Sequence, residues 1–294
     1  MVAVRKRRKT ANLTEDQAAA LRALVAVPKF ELIPLSNMAA SLAALPPASI
    51  VSVTASPSHG IEATLELSET LVAHGHTPIP HLSAHMISDQ GHLRDVLDRC
   101  TDGGLMRTFV VGGDAKDKGE FHDGLALLRA IDEAGHPFTE IGVPSYPEGH
   151  VDIPSERLLE VLLEKQRYAS YMTTQMCFNP GAIVGWIGVM RSSGVTLPVH
   201  LGTPGVAELT KLMTISARIG IADSARYLKK NRKMVGSLLT PGKFGPDALL
   251  IGMAEVFTDP GAAVEALHLF TFNQVAATVE WQERMLADLG EISG

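Results

Sequence analysis

A single carboxylate stands inside an apolar run between two prolines, Pro28-Lys29-Phe30-Glu31-Leu32-Ile33-Pro34. A run this short, with a breaker on each side, reads as a buried strand. An ionised carboxylate buried without a partner is very costly, so Glu31 must be paired, protonated or facing a cavity. In the third case it is a candidate acid. Other polar residues recur where apolar runs end: Thr54, His81, Asp114, Tyr146 with Glu148, Gln175, His200 and Asn273. Singly, each has an ordinary explanation. A strand-end Glu can simply face water, and His81 or His200 fits a hydrogen-bonded loop histidine better than a catalyst. Together they describe a mouth that recognises a flat polar molecule and offers one or two carboxylic acids for proton transfer. A second chemistry is that of a metal-dependent hydrolase. Glu148, His150 and Asp152 alternate, with His81 and His200 at neighbouring mouths, and alternation of this type can present ligands. Against it, no strand carries paired histidines, and Pro147 and Pro154 mark a loop, so no metal is expected.

The elements that must position these residues alternate along the chain. Thr14, with Gln17 three residues later, forms a capping box for a helix through Leu24. Strands are expected around Lys29–Ile33, Ile50–Thr54, Thr77–Leu82, Thr108–Val111, Phe138–Val143, Tyr171–Phe178, Leu197–Leu201 and His268–Thr271, the third broken up by Pro78 and Pro80. Helical spacing falls between them: Ile61–His74, Asp89–Cys100, Gly119–Ala134, Ser155–Arg167, Gly181–Arg191, a two-piece region from Gly205 to about Gly236, and Gln274–Leu289. Eight strands alternating with helices predict a single (β/α)8 TIM barrel over residues 14–294, behind a basic disordered tail at 1–13. In such a barrel chemistry sits at the carboxyl ends of the strands.

A chain of 294 residues suits one α/β barrel, and 46% apolar with 20% charged residues supplies an ordinary soluble core. A net charge of −6 gives no reason to expect nucleic acid as a partner. Cys100 and Cys177 make no disulfide framework and fit a reducing cytoplasm. No apolar stretch approaches membrane-spanning length, so no membrane is expected. Twin arginines in Arg5-Lys6-Arg7-Arg8-Lys9 are followed by polar residues where an export signal requires an apolar segment. Oligomeric state is not written in the sequence.

Seven short motifs occur in order at the expected strand ends: Phe30-Glu31-x-x-Pro34, Val51-Ser52-Val53-Thr54, Pro80-His81-Leu82, Gly113-Asp114, Tyr146-Pro147-Glu148-x-His150, Thr174-Gln175-x-x-Phe178 and Thr271-x-Asn273. In this the chain resembles the methylenetetrahydrofolate reductase family, as an atypical member, from about residue 28 to 290. The resemblance implies reduction of 5,10-methylenetetrahydrofolate to 5-methyltetrahydrofolate by a hydride from NADH or NADPH. It makes Glu31 the general acid that protonates the folate ring nitrogen as the one-carbon bridge opens to an iminium. Asp114 contacts the pterin and stabilises the developing cation, and the Gln175 amide hydrogen-bonds the pterin ring. Thr54, Tyr146 and Asn273 join the substrate site; His81, Thr54, Gly113, Tyr146 and His150 line the space for the nicotinamide cofactor. A folate-binding paralogue without activity would have no need of both Glu31 and Asp114.

In one place the chain departs from the family. The usual flavin grip has an arginine just before the Gly-Asp, where this chain has Gly112. It also has an acid, an amide and two adjacent basic residues on the helix before the sixth strand, where this chain has Arg157, Glu160, Leu163 and Glu164. A pyrophosphate needs cations or helix-end N–H groups. FAD is therefore expected to be absent or weakly bound, with the nicotinamide passing its hydride directly to the folate.

Overall fold

A computed structural model describes residues 12–113, 119–218, 226–227, 229–230 and 243–292. Helix α1 (Glu15–Ala26) opens with the expected capping box: Gln17 N–H donates to Thr14 Oγ1 at 3.2 Å, and Thr14 N–H to Gln17 Oε1 at 3.1 Å. Then follow β1 (Lys29–Leu32), α2 (Ala39–Ala43), β2 (Ile50–Val53), α3 (Gly60–Ala73), β3 (Thr77–Ser83), α4 (Gln90–Asp102), β4 (Arg107–Val111), α5 (Gly124–Ala134) and β5 (Glu140–Ser145). The second half runs α6 (Ser155–Lys165), β6 (Tyr171–Thr174), α7 (Pro180–Ser192), β7 (Val199–Pro204), β8 (Ala207–Glu208), α8 (Leu209–Arg218), β9 (Lys243–Phe244), a helix Asp247–Gly252, β10 (Val264–Phe270) and a closing helix Val275–Gly290.

Eight of these strands close a barrel in the order β1-β10-β7-β6-β5-β4-β3-β2, every pair parallel. The fold is the expected (β/α)8 TIM barrel. β8 and β9 form a separate antiparallel pair that the sequence pattern did not announce. Alternation along each strand decides what lies on either side of the wall. Outward residues such as Phe30, Leu32, Val51, Val110, Met172 and Leu269 are buried under the helices. Each removes enough apolar surface from water to stabilise by roughly 1.5–3 kcal/mol. Among the described residues no helix is long and apolar enough to cross a membrane. The basic segment at 1–11 lies outside the described residues, as does much of the expected helical region after Arg218.

Two expectations about strands are corrected. Pro78 and Pro80 do not break β3, which is continuous from Thr77 to Ser83. Proline removes a ladder donor, but the ladder to β4 begins only at His81↔Phe109, beyond both prolines, and Thr108 Oγ1 donates to the Pro80 carbonyl at 2.9 Å. β7 runs on from Val199 to Pro204, past the expected end at Leu201. His200 therefore sits near the start of its strand, far from the mouth.

Candidate active site

The inner wall of the barrel is polar in tiers. On the floor, at the amino ends of the strands, Lys29 Nζ donates to His200 Nδ1 at 3.1 Å and lies 3.9 Å from the centroid of the Tyr171 ring. Tyr171 stacks on His200 with ring centroids 3.8 Å apart. Glu140 closes the group, 4.0 Å from Lys29 and 3.5 Å from Arg107. Burial lowers the Lys29 ammonium from its ordinary 10.5 to about 8, against the pull of Glu140. Burial, helped by the Lys29 cation, takes His200 down to about 2, so its imidazole is neutral and accepts. The rings of Tyr171 and Phe109 fill the centre so closely that β5 has a glycine there: a Cβ on Gly142 would lie 2.4 Å from Tyr171 and 2.5 Å from Phe109.

One tier up, Glu31 Oε2 stands 3.0 Å from His268 Nε2, joining the first and last barrel strands. The His268 side chain is 3% exposed and that of Glu31 15%. Thr271 Oγ1 donates to the Glu31 carbonyl at 2.5 Å and fixes the backbone beneath the acid. His81 faces inward on β3, with Nε2 2.6 Å from Ser52 Oγ and its ring 4.7 Å from that of Phe109. Burial lowers His81 to about 4, with Glu31 opposing the shift and His268 adding to it, so its ring is neutral. The hydroxyl of Thr173, on β6, is buried with no hydrogen-bond partner among the described residues.

The rim holds the remaining residues singled out from the sequence. Thr54 follows β2, its N–H bonded to the Leu32 carbonyl at 2.9 Å. Gly113 follows β4 with φ 93°; a Cβ there would fall 2.0 Å from Ser83 Oγ, so no side chain fits where the two strand ends meet. Gln175 turns its carbonyl oxygen back to the Met176 N–H at 2.7 Å. Asn273 is bonded on both sides of its amide to the Ile33 backbone, at 2.8 Å each, and clips the rim of β1 to the end of β10. Tyr146 meets His150 edge-on at 5.3 Å, and His150 Nδ1 accepts from the Asp152 N–H at 3.1 Å. Glu148 accepts from the Cys177 thiol at 3.3 Å. Asp114 lies outside the described residues.

Glu31, His81 and Ser52 thus share one inner tier, while Thr54, Gly113 and Gln175 lie at the rim above. Tyr146 and Glu148 lie to one side, lining a cavity of about 650 Å3 outside the wall between α6 and α7, with Leu158, Leu162 and Trp186. That cavity contains none of the Glu31 surroundings. His200 belongs to the floor, and the five residues weighed as metal ligands do not converge. Among the described residues no three His, Cys, Asp or Glu side chains are placed to hold a metal ion. His268 was missed, although inward alternation on its strand, two residues before Phe270, was a signal that could have found it.

Two of the positions that the resemblance assigns to the flavin grip, Glu160 and Glu164, carry acids that are already engaged. Arg157 pairs with Glu160 at 3.2 Å on α6, and Glu164 pairs with Arg129 of α5 at 2.5 Å. Lys165 reaches beneath α6 towards the first turn of α5, where a Cβ on Gly124 would lie 3.5 Å from its Nζ.

Comparison with known proteins places this arrangement. A solved structure of an uncharacterized protein from Clostridium thermocellum that binds two copies of 5-methyl-5,6,7,8-tetrahydrofolic acid superposes with a TM-score of 0.62 at 12% identity, covering 90% of this chain and 95% of that one. At that identity the likeness is one of fold. Methylenetetrahydrofolate reductase 2 of Saccharomyces cerevisiae is 25% identical over 181 residues, which is 57% of this chain and 28% of the yeast protein. The family model for methylenetetrahydrofolate reductase matches residues 13–285, from the cap of α1 into the closing helix. A match of that extent on a closed barrel with Glu31 at its inner seam is decisive: the chain belongs to the methylenetetrahydrofolate reductase family.

Proposed function

We propose that this protein reduces 5,10-methylenetetrahydrofolate to 5-methyltetrahydrofolate with a hydride taken directly from NADH or NADPH. The observation that carries the reading is Glu31 at the inner seam of the barrel, largely buried, bonded on one oxygen and still 15% exposed. Opening the one-carbon bridge needs a proton at the folate nitrogen, and a shielded carboxyl of this type is suited to give it. Glu31 delivers that proton, the resulting iminium carbon accepts the hydride, and solvent restores the acid. Asp114 stabilises the cation by charge, and Gln175 offers an amide to the pterin edge. Thr54 borders folate and nicotinamide at the rim, with His81 and Gly113 on the nicotinamide side. The reduced nicotinamide supplies only the hydride. That the Clostridium thermocellum protein of like fold binds methyltetrahydrofolate supports the choice of ligand.

FAD does not fit the residues present. Gly112 stands where the family's arginine would be, and Glu160 and Glu164 are carboxylates held in ion pairs along α6. Charge-assisted hydrogen bonds contribute about 1.5–3 kcal/mol each, so two or three missing ones weaken a pyrophosphate by orders of magnitude. Both substrates then occupy the mouth together, and the kinetics are sequential. The test is oxidation of NADH or NADPH by methylenetetrahydrofolate with and without added flavin. A colourless protein active without flavin is expected. A yellow protein that loses activity on stripping and recovers it with FAD overturns the direct transfer.

A further inference from the structure

We infer that His268 is a positioning residue for the acid: its Nε2–H occupies one oxygen of the Glu31 carboxyl, so that the transferable proton sits on the other. This rests on the proposed reduction and deepens it. A protonated carboxyl has two oxygens and one hydrogen, and it can donate only from the oxygen that carries it. His268 Nε2 lies 3.0 Å from Glu31 Oε2. With the ring in its Nε2–H tautomer, Oε2 accepts and the acid hydrogen resides on Oε1. In the other tautomer Oε2–H would donate into the wall, and the proton would be held away from any substrate.

The surroundings hold the ring in place. His268 is buried, tilted 58° against Phe270 with centroids 5.0 Å apart. Its strand neighbours are Lys29 on β1 and Gly202 on β7. Gly202 has no room for a side chain, since a Cβ would meet the Thr174 carbonyl oxygen at 2.0 Å. Besides Glu31, the ionisable groups coupled to or beside the ring are His81, His200 and Lys29. The balance of the step is simple. The proton leaves Glu31 Oε1 for the folate nitrogen, the carboxylate left behind keeps the His268 N–H as a charge-assisted bond, and a proton from solvent restores the acid.

Two near-isosteric substitutions separate the roles of the two ring nitrogens. His268→Gln keeps an N–H near the Nε2 position, whereas His268→Asn keeps one only near Nδ1. His268→Asn should lower kcat about tenfold or more, while the Kd for 5-methyltetrahydrofolate stays within about twofold. His268→Gln should hold kcat within about threefold of wild type. In a Glu31→Gln background, read by single-turnover reduction, His268→Asn should cost nothing further, because the group it positions is gone. Thermal melting of each variant confirms that folded protein is compared. The inference fails if His268→Asn retains kcat, if Gln falls as far as Asn, or if the loss persists undiminished without Glu31. A wild-type protein with no reductase activity on either nicotinamide overturns the underlying reaction instead, and the two failures are distinct.

Discussion

On the floor of the barrel Lys29 is enclosed by His200, Tyr171 and Glu140, and Glu140 also has Arg107. One tier higher, Glu31 has His268 on one oxygen, and Thr173 keeps a buried hydroxyl with no partner among the described residues. Both tiers are built from inward polar side chains, and two strands serve both: β1 with Lys29 below and Glu31 above, β6 with Tyr171 below and Thr173 above. The floor is saturated, each charge answered by another group of the protein. The upper tier keeps capacity for hydrogen bonding. Saturation marks the charges that hold the barrel together, and the unfilled capacity marks those placed to meet something else.

The largest expected effect tests the upper tier. Glu31→Gln keeps the shape but has no acid proton, so turnover should fall on the order of 10²–10⁴-fold while 5-methyltetrahydrofolate still binds and the melting temperature hardly moves. Retention of more than about a tenth of turnover would remove Glu31 from the chemistry.

Acid should then strain both tiers. His81 and His200 ordinarily titrate at 6.5, but folding lowers them to about 4 and about 2. Between the folded and unfolded values the unfolded chain binds more protons, so stability rises with pH there and is lost as pH falls below 6.5. Each histidine contributes a slope of up to about 1.4 kcal/mol per pH unit, together roughly 2–3. Urea titrations from pH 7 to 5 measure this. His81→Asn should remove about one proton from the slope and leave the His200 part standing; a flat wild-type profile would mean that neither ring is held neutral.

Breaking the floor should do the reverse of breaking the acid. Lys29→Met removes a cation from among His200, Tyr171 and Glu140, and should destabilise by about 1–3 kcal/mol with kcat changed less than about threefold. Loss of kcat at full stability would erase the distinction between tiers. The smallest effect is expected at Thr173. Replacing an unpartnered buried hydroxyl with valine should leave stability unchanged or raise it by up to about 1 kcal/mol. A clear loss of stability in Thr173→Val would mean that the hydroxyl is already satisfied.

The barrel was legible because its strands are breaker-bounded apolar runs at even spacing, and Glu31 because a carboxylate inside such a run demands an explanation. What failed was depth. His200 reads as a mouth residue if β7 ends at Leu201, and three further residues of strand carry the mouth away from it. His268 and Lys29 were passed over because a polar residue within a strand has no meaning until its partner across the barrel is known, and that partner is 237 residues away for His268 and 171 for Lys29. Asn273 lies in a matched motif, yet both ends of its amide bind Ile33, a use that no spacing rule foretells. The departure at Gly112, Leu163 and Glu164 needed no depth, since the resemblance implies basic groups there and the sequence has none at those positions.

The pairing of Glu31 on β1 with His268 on β10 has a consequence for biosynthesis. The acid emerges from the ribosome 237 residues before its partner. Until β10 inserts between β7 and β1, the barrel has two open edges and a carboxylate without its neighbour. An interrupted or damaged chain that ends before residue 264 would keep most of the framework but lack the seam. Competence for proton transfer would then coincide with closure, and an unfinished molecule would stay chemically silent.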